Sequence, residues 1–172
     1  EKRRVALDGR YAKQTVHVQH GEAAQTACGA VSQGGLEVID IETTLFSTIA
    51  GVLREKYSNI LVAGEYTDTP ARFPAVTIVE IDNSVLRRMT TYAPYIENAT
   101  SVAYEVNVYT NTIGYKKSEA KDIMQTIDDE FAKLGFTRTM CNPISNLQDA
   151  TIYRLVARYE GVVDTSYRIY TN

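Results

Sequence analysis

From Val38 onward, apolar residues recur with two periods, and each change of period marks a new element. Over 40–57, "DIETTLFSTIAGVLREKY", Ile41, Leu45, Ile49, Val52 and Leu53 fall at helical spacing, with Phe46 and Tyr57 widening the stripe. Asp40 suits the cap of this helix, Arg54 and Lys56 suit its negative end, and Asn59 is placed to close it. Over 118–134, "SEAKDIMQTIDDEFAKL", a second helix puts Ala120, Ile123, Met124, Ile127, Phe131 and Leu134 on one face. Ser118 is its expected cap and Gly135 its expected left-handed stop.

Between and after the helices the period drops to two. Strands are expected at 60–66, 75–82, 101–110, 136–141 and 150–163, with "SYRIYT" as a closing strand. In 101–110, Val102, Tyr104, Val106 and Val108 share one face, and Ala103, Glu105, Asn107 and Tyr109 share the other. In 150–163, Tyr153, Leu155, Ala157 and Tyr159 oppose Ile152, Arg154, Val156 and Arg158. "NPISN" at 142–146 is expected to turn, because Asn and Pro favour turns. Residues 83–100 are expected to form a long loop, and loops of that length are commonly functional or mobile. The order helix, strands, helix, strands predicts a two-layer α+β domain, with two helices on one face of a mainly antiparallel sheet of ferredoxin-like tendency.

Residues 1–37 lack this patterning. Arg10 to Gly35 is rich in Gln, Ala, Gly, Thr and His, and it reads as an arm or linker. The domain is therefore expected at 38–172. "SQGGLEVIDIE" also admits another origin for the arm. Gln33-Gly34-Gly35 can be encoded by CAAGGAGGT, a ribosome-binding site, with Val38 as a GTG start. On that reading 1–37 is an upstream extension; on the other it is a genuine flexible arm, able to order on a neighbouring subunit.

Composition narrows the chemistry. A net charge of −3, with acids and bases mixed along the chain, offers no basic stripe for nucleic acid. No apolar run approaches the ~18 residues of a membrane helix. Cys28 and Cys141 lie far apart in sequence, which favours reduced thiols. His17 and His20 are the only histidines, so no later histidine can activate Cys141, and two ligands are too few to suggest a metal site. Asp128, Asp129 and Glu130 are adjacent on a helix and diverge by about 100° each, which makes them a solvated face. No phosphate-cradling glycine loop occurs. The expectation is a protein without catalytic activity, cofactor or metal. Its Tyr content, 12 residues with no Trp, suits half-exposed sheet faces and interfaces. The expected interface residues are Arg87, Arg88, Tyr92 and Tyr95 in the long loop, and Tyr153, Arg154, Arg158 and Tyr159 in the late strand.

Three stretches carry a resemblance: "YEVNVYTN" at 104–111, "SEAKDIMQTIDDEFAKLGFTRT" at 118–139 and "NPISNLQDATIYRLVARYEGVVD" at 142–164. Together they resemble the tail-terminator and minor tail (neck) proteins of tailed phages and prophages of Gram-positive bacteria. The resemblance implies a virion protein, assembled in the host cytoplasm, that forms a homo-oligomeric ring, commonly a hexamer, at the head-proximal end of the tail. Such a ring stops tail-tube growth and meets both the tail-tube protein and the head-completion or connector protein. It implies no membrane and no specific nucleic acid partner. The alternative is a small α+β module that binds a protein or ligand without catalysis.

Overall fold

The computed structural model describes residues 38–93 and 95–170. His17, His20, Cys28 and both readings of the arm lie outside the described residues.

Helix α1, Glu42–Lys56, buries Leu45, Ile49, Ala50 and Leu53, as its period requires. Asp40 Oδ1 accepts the Glu42 N–H at 2.8 Å, satisfying one of the open donors at the helix start. Asn59 takes the left-handed conformation that turns the chain. Helix α2, Lys116–Leu134, buries Ala120, Ile123, Met124, Thr126, Ile127 and Phe131. Ser118 is not its cap. The helix begins two residues earlier, and the Ser118 hydroxyl donates back to the Tyr115 carbonyl at 2.8 Å. Its end follows expectation: Gly135 is left-handed, its N–H reaches Ala132 O, and the Phe136 N–H reaches Phe131 O. Those two bonds make a Schellman motif.

The strands are β1 (Leu61–Ala63), β2 (Ala75–Val85), β3 (Thr91–Tyr92), β4 (Tyr95–Ile96), β5 (Ala99–Thr110), β6 (Thr137–Ser145), β7 (Tyr153–Asp164) and β8 (Ile169–Tyr170). The main sheet runs β1-β2-β5-β7-β6, with β8 beside the end of β7. Among the described residues, only β1 and β2 are parallel; the other pairs are antiparallel. β5, α2 and β6 thus form a split βαβ unit with β7 inserted between its strands. The fold is α+β, two helices packed on a mainly antiparallel sheet.

Two expectations fail for one reason. Asn142–Ser145 do not turn; they continue β6, pairing with Val156, Leu155, Arg154 and Tyr153. Residues 83–85 and 99–100 are likewise not loop, because Asn83, Ser84 and Val85 pair with Val102, Ser101 and Thr100. In both places a long neighbouring strand overrides local turn preference. Pro143 is tolerated because β6 is the last strand of the sheet. The turn comes later, where Asn146 and Asp149 side chains accept the N–H groups of Gln148 and Thr151.

The core joins both helices to one sheet face. Its centre is aromatic. Phe131 of α2 stacks flat on Tyr159 at 3.9 Å and meets Phe136 edge-on at 5.4 Å. Tyr104 packs beside both phenylalanines. The helices are also tied to each other, since Tyr57 donates to Asp122 at 2.7 Å and Lys56 donates to Thr126 at 2.7 Å.

Candidate interaction surfaces

Four of the expected residues gather at one end of the sheet. After β2 the chain makes a single 3-10 turn, Arg87–Met89, then the small β3–β4 hairpin, and returns as β5. Asn98 holds the base of this excursion by donating to Met89 O at 2.6 Å and Thr91 Oγ1 at 3.0 Å. Arg87 and Arg88 are exposed. Tyr92 and Tyr95 meet edge to face at 6.2 Å, yet remain 66% and 46% exposed. Met89 and Ile96 beside them are also exposed. The opposite end of the sheet, past the far ends of β5 and β6, exposes Ile113 and Leu147 almost completely. Each end thus presents large apolar side chains to solvent, the kind of patch that marks a contact surface.

Arg154 and Arg158 lie on the sheet face away from the helices, and their partners are unlike. Asn107 Oδ1 accepts from Arg154 Nε at 3.0 Å and from its Nη2 at 2.8 Å. The guanidinium also lies 5.2 Å from the Tyr66 ring and 5.6 Å from the Tyr109 ring. Tyr109 is fully buried and donates to Thr67 O at 2.7 Å; burial pushes its hydroxyl up to about 12. The loop carrying Tyr66 is anchored here by Asp68, which accepts from Tyr66, Asn146 and Gln148. Arg158 instead pairs with Glu105, its Nε and Nη2 both near Oε2 at 3.0 and 2.9 Å.

Tyr153 and Tyr159 do not join this face. Tyr159 is 1% exposed beneath Phe131, and burial raises its hydroxyl above the usual phenol range. Tyr153 packs half-buried against the same core. The expectation that Tyr159 is an interface residue is corrected: α2 covers it, with Phe131 stacked on its ring. Side chains alternate across a strand, so the tyrosines that share Leu155's face go to the helices and the arginines go the other way. Reading one strand at a time missed Asn107, Glu105, Tyr66 and Tyr109 as partners. Their signal was the polar face of 101–110, and it becomes specific only with the register Tyr109↔Arg154 and Glu105↔Arg158.

Cys141 is a free thiol, half-buried against the core on the helix side. A groove of about 440 Å³ runs between α2 and β6, lined by Met124, Cys141, Pro143 and Leu155 and bordered by Lys117, Lys121 and Arg138. Among the described residues no three His, Cys, Asp or Glu side chains gather to hold a metal ion, and no helix is long and apolar enough to cross a membrane. No protein-family model matches the sequence, and no curated protein matches it.

Proposed function

We propose that the chain is a structural virion protein of a tailed phage. It forms a ring, of hexameric type, at the head-proximal end of the tail, where it ends tail-tube growth and joins tail to head. The observation that carries this reading is the exposure of large apolar residues at both ends of one sheet: Met89, Tyr92, Tyr95 and Ile96 at one end, Ile113 and Leu147 at the other. A ring between two partners needs two axial contact surfaces, one toward the tail-tube protein and one toward the head-completion protein. The resemblance of 104–111, 118–139 and 142–164 to tail-terminator and neck proteins supports the same role. The chemistry of the site is recognition, with aromatic and arginine side chains as anchors, and not catalysis.

Light scattering coupled to size-exclusion chromatography, followed by co-sedimentation with tail tubes, tests the reading. The expected result is an oligomer that binds tube ends. Replacing Tyr92 and Tyr95 together by Ser is expected to weaken tube binding at least about tenfold while leaving the thermal midpoint unchanged, because both rings already face solvent. A stable monomer that ignores tail tubes would overturn the proposal in favour of a binding module.

A further inference from the structure

Helix α2 leaves the helix side of β6 partly open, and the groove between them has unlike walls. Its floor is apolar, from Met124, Cys141, Pro143 and Leu155. Its α2 wall carries Lys117 and Lys121, four residues apart on one helix face and both exposed. The nearest acids along α2 have other partners: Glu119 accepts from Thr112, and Asp122 accepts from Tyr57. At the far end of the groove Arg138 is paired with Asp128 at 2.8 Å. Among the described residues no carboxylate lies within ion-pair distance of Lys117 or Lys121.

β6 is also an open edge. It ends the path of the sheet, and among the described residues no strand pairs with its outer side. Such an edge is a template for another strand. Pro143 fixes which groups face outward. It sits opposite Leu155 in a register unbroken from Met140 to Ser145. Without an N–H it cannot exchange bonds with Leu155, so it holds an outward-facing position of the ladder. Cys141 and Ser145, two residues to either side, share that position and turn their N–H and C=O groups outward. The side chains of Cys141 and Pro143 lie on the helix side, with those of Ala157 and Leu155 opposite them. The outward backbone groups and the cationic groove therefore belong to one stretch, 141–145.

We propose that this stretch docks an extended acidic segment of a partner protein, which adds to β6 as a further strand. Charge and period define the occupant. Opposed residues in a sheet share a face, so its side chains level with Cys141, Pro143 and Ser145 rise on the helix side. Carboxylates at those positions face Lys117 and Lys121. The side chains between them lie on the other face, beside Asn142 and the 42% exposed Ile144, where apolar groups suit. The segment therefore alternates apolar and acidic residues. Its backbone bonds to Cys141 and Ser145, with one bond fewer at Pro143, which has no N–H. A second copy of this chain does not supply the segment by laying its open β2 edge level with this sheet. Through the register across β5 and β7, Glu80 is level with Arg138 and Asp82 with Thr137. Pro143, beside the lysines, is level with Val76, where β1 covers β2. The site goes beyond the ring reading and does not depend on it.

Two labelled peptides test this on the full chain by fluorescence anisotropy: acetyl-Val-Glu-Val-Glu-Val-Glu-Val-amide and its counterpart with Lys in place of Glu. The acidic peptide is expected to bind, more weakly as salt rises, and the basic one not to bind. Combining Lys117→Ala with Lys121→Ala is expected to weaken binding about five- to tenfold, from two lost surface pairs. Both side chains are exposed, and far-UV circular dichroism checks that the variant is folded. Hydrogen exchange separates strand addition from simple charge attraction. The Cys141 and Ser145 amides are expected to exchange fast in the free chain and to be protected by the acidic peptide. No saturable binding of the acidic peptide, or equal binding of the basic one, would overturn the proposal. So would binding that leaves both amides unprotected, or a folded double variant with unchanged affinity. Light scattering reads the ring separately, so either reading can fail while the other stands.

Discussion

Arg154 and Arg158 sit on one strand face, four residues apart, and their removal is expected to have unequal consequences. Replacing Arg154 by Met keeps most of the stem but leaves Asn107 Oδ1, fully buried, without its two donors. An unsatisfied buried acceptor costs about 1–3 kcal/mol. Loss of the contacts with the Tyr66 and Tyr109 rings adds about 0.5–1 kcal/mol for each ring. The expected loss is therefore about 2–5 kcal/mol. Arg158→Met removes an ion pair whose side chains are 49% and 17% exposed. Pairs of that kind contribute about 0.2–1 kcal/mol and weaken with salt. Urea unfolding of both variants, and of Arg154→Met combined with Asn107→Ala, measures the difference. The double variant is expected to lose less than the sum of the single losses, because the orphaned acceptor has gone with its donor. Equal losses for the two arginines, or strict additivity of the Arg154 and Asn107 changes, would refute the claim that Asn107 is what Arg154 serves.

Two further outcomes follow from local geometry. Gly135→Ala is expected to cost about 1–2 kcal/mol, since its φ of 94° is left-handed and a Cβ there would sit 3.2 Å from Ile169 O; the urea midpoint reads it. Asp149 is held below its usual value by the Thr151 hydroxyl and N–H, and Asp164 by the Arg168 N–H with help from Tyr170 and Ser166. Depressed carboxyls stabilise above the ordinary value of 3.8 and lose that contribution as pH falls through their folded values. Asp149→Asn with Asp164→Asn is therefore expected to flatten the fall in stability below about pH 4; an unchanged acid limb would contradict this.

The helices were legible because period is a local property. The long apolar face of α2 was expected at 118–134 and found at Lys116–Leu134, and Gly135 ended it as a left-handed stop. The start was misjudged because Ser118 is a good cap by type, but its hydroxyl was already taken by Tyr115 O. Strand ends were less legible because they depend on a partner. Asn142 and Pro143 are turn residues by preference, yet β7 runs from Tyr153 to Asp164 and offers Val156 and Leu155 opposite them. The same dependence hid the extension of β2 and β5 into 83–100. Alternation told which residues of 150–163 share a face. It did not tell which face the helices cover, because both carry apolar groups; Phe131 stacking on Tyr159 decides that.

The candidate surface shows the cost of reading one strand at a time. Seen along β7, Arg154 and Arg158 are equivalent cations on one face. Seen across β5, one faces Tyr109 and the other Glu105. Arg154 is committed to a buried amide and two rings, so it fixes the loop that carries Tyr66. Among the described residues Arg158 has a single carboxylate partner, with its own side chain about half exposed. Arg154 therefore belongs to the folding of this face, and on the proposed ring reading Arg158 is the arginine that serves recognition. A rim charge acts mainly on association rate and salt dependence, whereas a partner of a buried polar group acts on stability. Arg158→Ala is thus expected to slow association and flatten its salt dependence while costing no more than the about 0.2–1 kcal/mol of its ion pair, and Arg154→Ala to leave association unchanged and lower the urea midpoint by more. The two residues become distinguishable in function because the register gave them different neighbours.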